Sequence, residues 1–201
     1  MHDPRGKVGV GLGYAIAETG ADHLVAFHDS GFASETSVVF RGARPLGITE
    51  PLPPRDLGPK KAALYAVGES WSAAGKVIGF CYFGPAPRSF IQVAEVVEAV
   101  HAATGWDMSV AELLQVGQRA VNLARVFNAR EGFSRKDDVL PDRLFGPLEN
   151  GALEGIGISL AEFDATMTEL YRIKGWDTET AMPTRERLEA LGIGWAADQL
   201  A

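Results

Sequence analysis

From Lys60 onward the chain repeats apolar residues at helical spacing. Lys60–Lys76 places Ala63, Leu64, Val67, Trp71 and Ala74 on one stripe, and Gly75 and Gly79 mark its end. Ser89–Ala103 puts Phe90, Val93, Ala94, Val97 and Val100 on one face. Its valines suit a strand, but roughly 14 residues is long for one, and a helix is expected. Ser109–Asn128 opens on a capping box, Ser109 with Glu112. Its apolar stripe is Val110, Leu113, Leu114, Gly117, Val121, Ala124 and Phe127, and Gln115, Arg119, Asn122 and Arg125 form the opposite, polar face. Ser159–Lys174 opens on a second Ser/Glu box, with Phe163, Met167, Leu170 and Tyr171 inward and Gly175 closing it. A last short helix, Thr184–Leu191, runs from an N-cap threonine to Gly192.

The first 60 residues read differently. Breakers recur, and the one helix expected there is Gly11–Thr19, with Gly20 closing it. Ser37–Phe40 permits a strand but is only four residues long, and Arg41–Pro59 is too rich in Pro and Gly for regular structure. No internal repeat appears. The expectation is an all-α, multihelical domain over residues 1–201. It has a loop-rich opening segment (1–60), a helical part (61–201), about five principal helices and no sheet of three or more strands.

Composition narrows the function classes. Hydrophobic residues make up 46% and charged residues 22% of the 201, ordinary values for a chain that folds around a core. A net charge of −7 argues against a nucleic-acid partner, which wants a basic face. No apolar run reaches the length of a membrane span, and MHDPRGKVGV lacks a signal pattern. The single cysteine, Cys81, excludes an internal disulfide and points to a reducing, cytoplasmic setting.

Few residues carry chemistry on their own. Gly9-Val-Gly-Leu-Gly13 lacks the strand and the spacing of a dinucleotide loop, so its glycines are read as close-packing positions. His23, in Gly20-Ala-Asp-His23, suits proton transfer near neutral pH, and His28 beside Asp29 is the weaker candidate of the same kind. The bland alternative for either is a surface or core histidine. The four histidines lack ligand spacing, so a metal site made by the protein alone is not expected. Cys81 is either a small buried hydrophobe or one thiolate of a cluster completed from elsewhere. Residues 122–143 read as a helix end followed by an ordered, salt-bridged loop.

Four segments in the same order carry a family resemblance. They are His2-Asp-Pro-Arg-Gly6 with Leu12, Tyr14, Ala15 and Gly20-Ala-Asp-His23; Gly79-Phe-Cys81 with Phe83; Arg125-x-Phe-Asn-x-Arg-Glu-Gly-Phe-Ser-Arg-Lys-Asp-Asp138 with Leu140-Pro-x-Arg143; and Tyr171-x-x-x-Gly-Trp-Asp177 with Pro183 and Leu188-x-x-Leu-Gly192. Together they resemble the C-terminal part of the tungsten-containing aldehyde ferredoxin oxidoreductases, over nearly the whole chain.

The resemblance implies a tungsten, or molybdenum, bis-pterin site beside a [4Fe–4S] cluster. It implies oxidation of a small aldehyde to a carboxylate, and electron delivery to ferredoxin. By the same resemblance Cys81 is the fourth cluster ligand, His23 is the catalytic residue near the metal, and Lys76, Gly79 and Phe80 take the pterin-binding positions. Lys76 stands where the family has an aspartate, and Phe80 where it has a leucine. The pterin-saddling domain and three cluster cysteines are absent from these residues, so an N-terminal half or subunit is expected as partner and the isolated chain is expected to be inactive. A non-catalytic helical remnant or interaction module is the alternative.

Overall fold

The computed structural model describes residues 2–85, 87 and 90–200. Among them the chain forms seven α-helices: α1 (Val8–Ile16), α2 (Val38–Ala43), α3 (Pro59–Ile78), α4 (Val93–Thr104), α5 (Val110–Arg130), α6 (Leu160–Lys174) and α7 (Arg185–Ala190), joined by loops and short 3₁₀ turns. Extended pairing in the described residues is confined to isolated bridges, Pro85 with Ile91, Leu148 with Glu154 and Trp176 with Pro183. The all-α expectation holds.

α3 is the central rod. Its 20 residues span roughly 30 Å at the standard helical rise. Pro59 occupies its first turn, where a missing N–H costs nothing. The helix closes on Gly79, at φ 84°. There Phe80 N–H reaches Gly75 O (2.9 Å) and Gly79 N–H reaches Lys76 O, the paired bonds of a Schellman ending.

α5 crosses α3 at Gly117. A Cβ placed there would lie 1.8 Å from the Ser70 carbonyl oxygen and 2.9 Å from Ala74 N. Only a residue without a side chain lets the two backbones meet this closely. α5 begins as the sequence indicates, with Ser109 N–H on Glu112 Oε2 (2.8 Å) and Glu112 N–H on Ser109 Oγ (3.2 Å). The Ser109 amide holds the Glu112 carboxyl below its usual range. The cap of α6 is one-sided: Ser159 Oγ accepts from Glu162 N–H, and no bond returns from the carboxylate.

Three buried ion pairs tie the other elements to this crossing. Lys61 Nζ meets Asp29 Oδ1 at 2.5 Å, both side chains 1% exposed. The same carboxylate accepts from Gly9 N–H and Val10 N–H (3.0 and 3.2 Å), so Asp29 caps the amide end of α1 from 20 residues away. A Cβ on Gly9 would lie 2.7 Å from Asp29 Oδ1, which gives that glycine its reason. Lys174 of α6 pairs with Glu69 of α3, and burial pulls the Lys174 ammonium below its usual value while Glu69 opposes the shift. Arg125 of α5 holds Asp138 through two bonds of 2.8 and 2.7 Å, and Tyr171 donates to the same carboxylate at 2.9 Å. Burial raises the Tyr171 phenol, so it stays a donor. The loop after α5 is ordered and salt-bridged, as expected, and its main pair is buried.

Several sequence expectations need correction. Residues 38–43 form α2 rather than a strand, capped by Ser37 Oγ accepting from Phe40 N–H. A 3₁₀ turn follows at Arg44–Leu46, so Arg41–Leu46 is regular despite its Gly and Pro. α1 starts at Val8 and stops at Ile16, and Gly20 lies in a turn beyond it. α4 starts at Val93 behind Gln92, whose N–H donates to Glu95 Oε2 (2.6 Å); the expected start at Ser89 lies outside the described residues. Phe90 and Phe127, assigned to apolar stripes, are exposed, whereas Asn122 and Arg125, assigned to a polar face, are buried. Phe90 lies ahead of α4, outside its helical face; in α5, bonding rather than hydropathy alone decides which residues turn inward. Trp176 Nε1–H donates to Asn122 Oδ1 (2.8 Å), and Arg125 Nε–H to Ala181 O (2.9 Å).

Gly117→Ala should therefore destabilise the chain at or above the upper end of the about 1–3 kcal/mol typical of overpacking. Asp138→Ala should cost about 3–5 kcal/mol by leaving Arg125 buried and unpaired. Urea unfolding at neutral pH measures both, and losses below about 1 kcal/mol would contradict the packing and the pairing described.

Candidate functional site

The Schellman ending of α3 turns the chain sharply at Gly79 and leads it to Phe80 and Cys81. Gly84 N–H bonds Cys81 O (2.8 Å) to close a turn, and the Cys81 side chain is exposed. Tyr82 OH donates to Ala26 O (2.7 Å) and fastens this turn to the segment after α1. That segment packs on α3 because Gly68 makes room for Phe27: a Cβ on Gly68 would lie 2.9 Å from the Phe27 ring.

Segment 22–27 contains the sequence-predicted histidine. Asp22 Oδ1 accepts from Leu24 N–H (2.9 Å), forming a local turn, and His23 sits on it with its side chain exposed. His23 is not isolated. Its ring centroid lies 5.4 Å from that of His2 and 6.0 Å from that of His28, and His2 and His28 are 4.5 Å apart. Lys7 Nζ is 3.4 Å from Nδ1 of both His2 and His28. An ammonium only donates, so each Nδ1 accepts and the His28 proton sits on Nε2, donated to His23 O at 2.9 Å. His28, the weaker of the two candidates by sequence, thus holds the backbone of the stronger one.

The remaining predicted residues gather at one cavity. Lys76, Phe80 and Cys81 line it together with Asp22, Trp71 and Ser72, around a volume of about 130 Å³. His23 adjoins the cavity through Asp22 but does not line it. Gly79 stands behind, serving the helix ending. The Lys76 ammonium is turned to Glu18 Oε1 (3.3 Å), near the end of α1. This half-exposed pair stabilises little but sets where the charge lies.

Sequence reasoning missed Ser72, Asp22 as a lining group, and the approach of His2 and Lys7. Ser72 is 6% exposed and its Oγ has no hydrogen-bond partner, whereas Ser70, two residues earlier, donates to Ala66 O at 2.7 Å. In the sequence the two serines look alike. Only the helix crossing separates a hydroxyl spent on its own backbone from one left over.

The geometry places the cysteine motif and the Gly20-Ala-Asp-His23 motif on one cavity, 58 residues apart. A sequence model described as aldehyde ferredoxin oxidoreductase, domains 2 and 3, matches residues 1–193. The chain belongs to the aldehyde ferredoxin oxidoreductase family. It is 30% identical over 195 residues to the tungsten-containing aldehyde ferredoxin oxidoreductase of Thermococcus kodakarensis, and 29% identical to that of Pyrococcus furiosus. Either match covers 96% of this chain and 29% of the relative, so the chain spans less than a third of their length. An aliphatic sulfonate oxidoreductase, WOR-like subunit, of Pyrococcus furiosus is 31% identical over 108 residues, covering 51% of this chain and 17% of the relative. In this member of the aldehyde ferredoxin oxidoreductase family, the Tyr82–Ala26 bond ties the two motifs together. Tyr82→Phe should lower the local stability of residues 80–85 by about 1 kcal/mol and leave α5 and α6 unchanged. Amide hydrogen exchange reads this directly, and unchanged protection at Phe80–Gly84 would contradict the tether.

Proposed function

We propose that this chain is the C-terminal part of a tungsten- or molybdenum-dependent bis-pterin oxidoreductase that converts aldehydes to carboxylates and passes electrons through a [4Fe–4S] cluster to ferredoxin. The 201 residues act as one helical domain whose partner is the pterin-binding half or subunit. The observation that carries this reading is the meeting of the Cys81 turn and the His23 segment at one aromatic-walled cavity.

The residues fit the implied groups in part. One thiolate cannot hold a cubane cluster, so three ligands come from outside these residues, and Cys81, exposed at a turn, is positioned to meet them. The orphaned, buried Ser72 hydroxyl and the Asp22 carboxylate suit the polar edge of a ring. Lys76, turned to Glu18, does not take the family aspartate's place.

The chemistry supplied by the bound metal–pterin and cluster is acceptance of two electrons and their release one at a time. Conversion of an aldehyde and water to a carboxylate yields two electrons and three protons. His23, exposed beside the cavity and held by His28 through its carbonyl, is the residue here that moves or holds one of those protons. Cys81 supplies the thiolate that binds iron. Phe80 and Trp71 exclude water from the cavity wall. The second reading, a non-catalytic remnant or interaction module, is favoured by the Lys76–Glu18 pair.

The test is anaerobic co-production with a polypeptide carrying the Cys-x-x-Cys-x-x-x-Cys segment of such an enzyme. The complex should hold four irons and oxidise a short aldehyde with a ferredoxin as acceptor. Cys81→Ser should lower or convert the cluster. His23→Ala should keep metal content and lose roughly two orders of magnitude in turnover. A complex that binds the partner yet takes up neither iron nor metal would favour the remnant.

A further inference from the structure

A second cavity, of about 170 Å³, opens beside the α3–α5 crossing and is lined from α3, α5, α6 and α7. It shares no lining residue with the cavity at Cys81. Arg187 of α7 is the group there that the fold leaves unexplained. Its stem lies across Gly175, where a Cβ would come within 2.9 Å of Arg187 Cγ and Cδ, so the guanidinium is held in place. Its Nη2–H donates to Gln118 Oε1 at 3.0 Å. Its Nε–H is sealed from solvent and has no partner among the described residues. Burial alone pulls this guanidinium below its usual value, and no described carboxylate pairs with it. A buried N–H on a charged group is costly to leave without an acceptor.

The rest of the polar lining says what the missing acceptor is. Glu69 is the one carboxylate there, and both its oxygens are taken, Oε2 by Lys174 and Oε1 by Tyr65 OH (3.2 Å). Asn122 gives its amide to Gln118 O and its oxygen to Trp176. A guanidinium only donates, so Gln118 turns its oxygen to Arg187 and keeps its amide N–H groups, which meet no other described residue. Lys174 and Arg187 bring two positive charges to the lining and Glu69 one negative. What remains unspent is donors with an excess of positive charge. A carboxylate supplies both acceptors and charge, and it matches the planar guanidinium.

The other walls are apolar, from Ala66, Val67, Leu114, Val121 and Ile173. A cavity of ~150 Å³ takes one benzene molecule, so this one has room for a carboxylate with a short hydrocarbon tail. We propose that this cavity binds a short-chain monocarboxylate, its oxygens on Arg187 Nε–H and the Gln118 amide and its tail against the apolar walls. The site is independent of the metal–pterin reading above and needs neither Cys81 nor His23.

The experiment uses the full chain and three probes: butyrate, its neutral counterpart butyramide, and formate, which lacks the tail. Protein-observed NMR titration at neutral pH should show butyrate shifting the resonances of Val67, Gln118 and the Arg187 Nε–H. Butyrate should bind at least roughly tenfold more tightly than butyramide, the worth of one hydrogen bond to a charged group. Formate should bind more weakly than butyrate. Arg187→Gln should weaken butyrate binding by a factor similar to that separating butyramide. Gln118→Glu, which gives Arg187 a carboxylate of the chain's own at nearly unchanged size, should abolish butyrate binding. Absence of butyrate binding, shifts confined to other residues, or equal affinity for butyrate and either other probe would overturn the proposal. Unchanged butyrate affinity in Gln118→Glu would do the same, so the test stands even where Arg187→Gln does not fold.

Discussion

The contact of α5 with α3 at Gly117 is the constraint on which the other elements depend. With a side chain at that point, the Ser70 carbonyl and the α5 backbone could not approach as they do. The crossing fixes the depth at which α3 is buried, and so forces inward the residues that flank Ser70. Glu69 goes in and needs Lys174, Trp71 goes in and forms the site wall, and Ser72 goes in without a partner. α3 thereby organises the molecule at three levels along roughly 30 Å. Its first turn holds α1 through Lys61 and Asp29, its middle holds α6 through Glu69, and its last turn delivers Phe80 and Cys81.

Buried charge in this fold specifies arrangement more than it adds stability. Removing two charges from water costs several kcal/mol per ion, which their attraction only offsets when every oxygen and N–H is also bonded. That condition is met at Asp29 and Asp138. Asp29 receives Lys61 and two amides of α1, and Asp138 receives both arms of Arg125 and the Tyr171 hydroxyl. The Arg125 guanidinium also stacks 5.0 Å from the Trp176 ring, and Lys174 Nζ lies 4.1 Å from it. One network seats α1 on α3, the other seats the 135–143 loop on α5 and α6, and the 22–27 segment is placed on α3 by Phe27 against Gly68.

How much of this was legible depends on which force decided each element. Where capping and apolar spacing point the same way, the element is legible, as in α5 and α6, and in α6 the inward residues are too: Phe163, Met167, Leu170 and Tyr171 are all buried. Where a long-range polar contact decided, hydropathy misled. Arg125 and Asn122 look solvent-facing until Asp138 and Trp176 are placed beside them, and Lys61 looks exposed until Asp29 arrives from 32 residues earlier. α2 is hard to see in sequence because its six residues are too short for periodicity to register, and Ser37–Phe40 permits a strand as readily as a capped helix start. At the site, the motif residues His23 and Cys81 were visible as motifs. Ser72 and Asp22 were not, because an unpaired hydroxyl and a shared cavity exist only in three dimensions.

The functional account requires that Cys81 and the His23 segment, which no local sequence signal joins, occupy one face of the folded chain. Cys81 is the chain's single cysteine and is exposed, so a nitroxide attached there reports on its surroundings without further substitution. The direct measurement is paramagnetic broadening of amide resonances in the labelled chain, compared with the same sample after reduction of the nitroxide. Strong broadening is expected over residues 22–27 and at Ser72–Phe80. Resonances of residues 22–27 that stay sharp would separate the two motifs and contradict it.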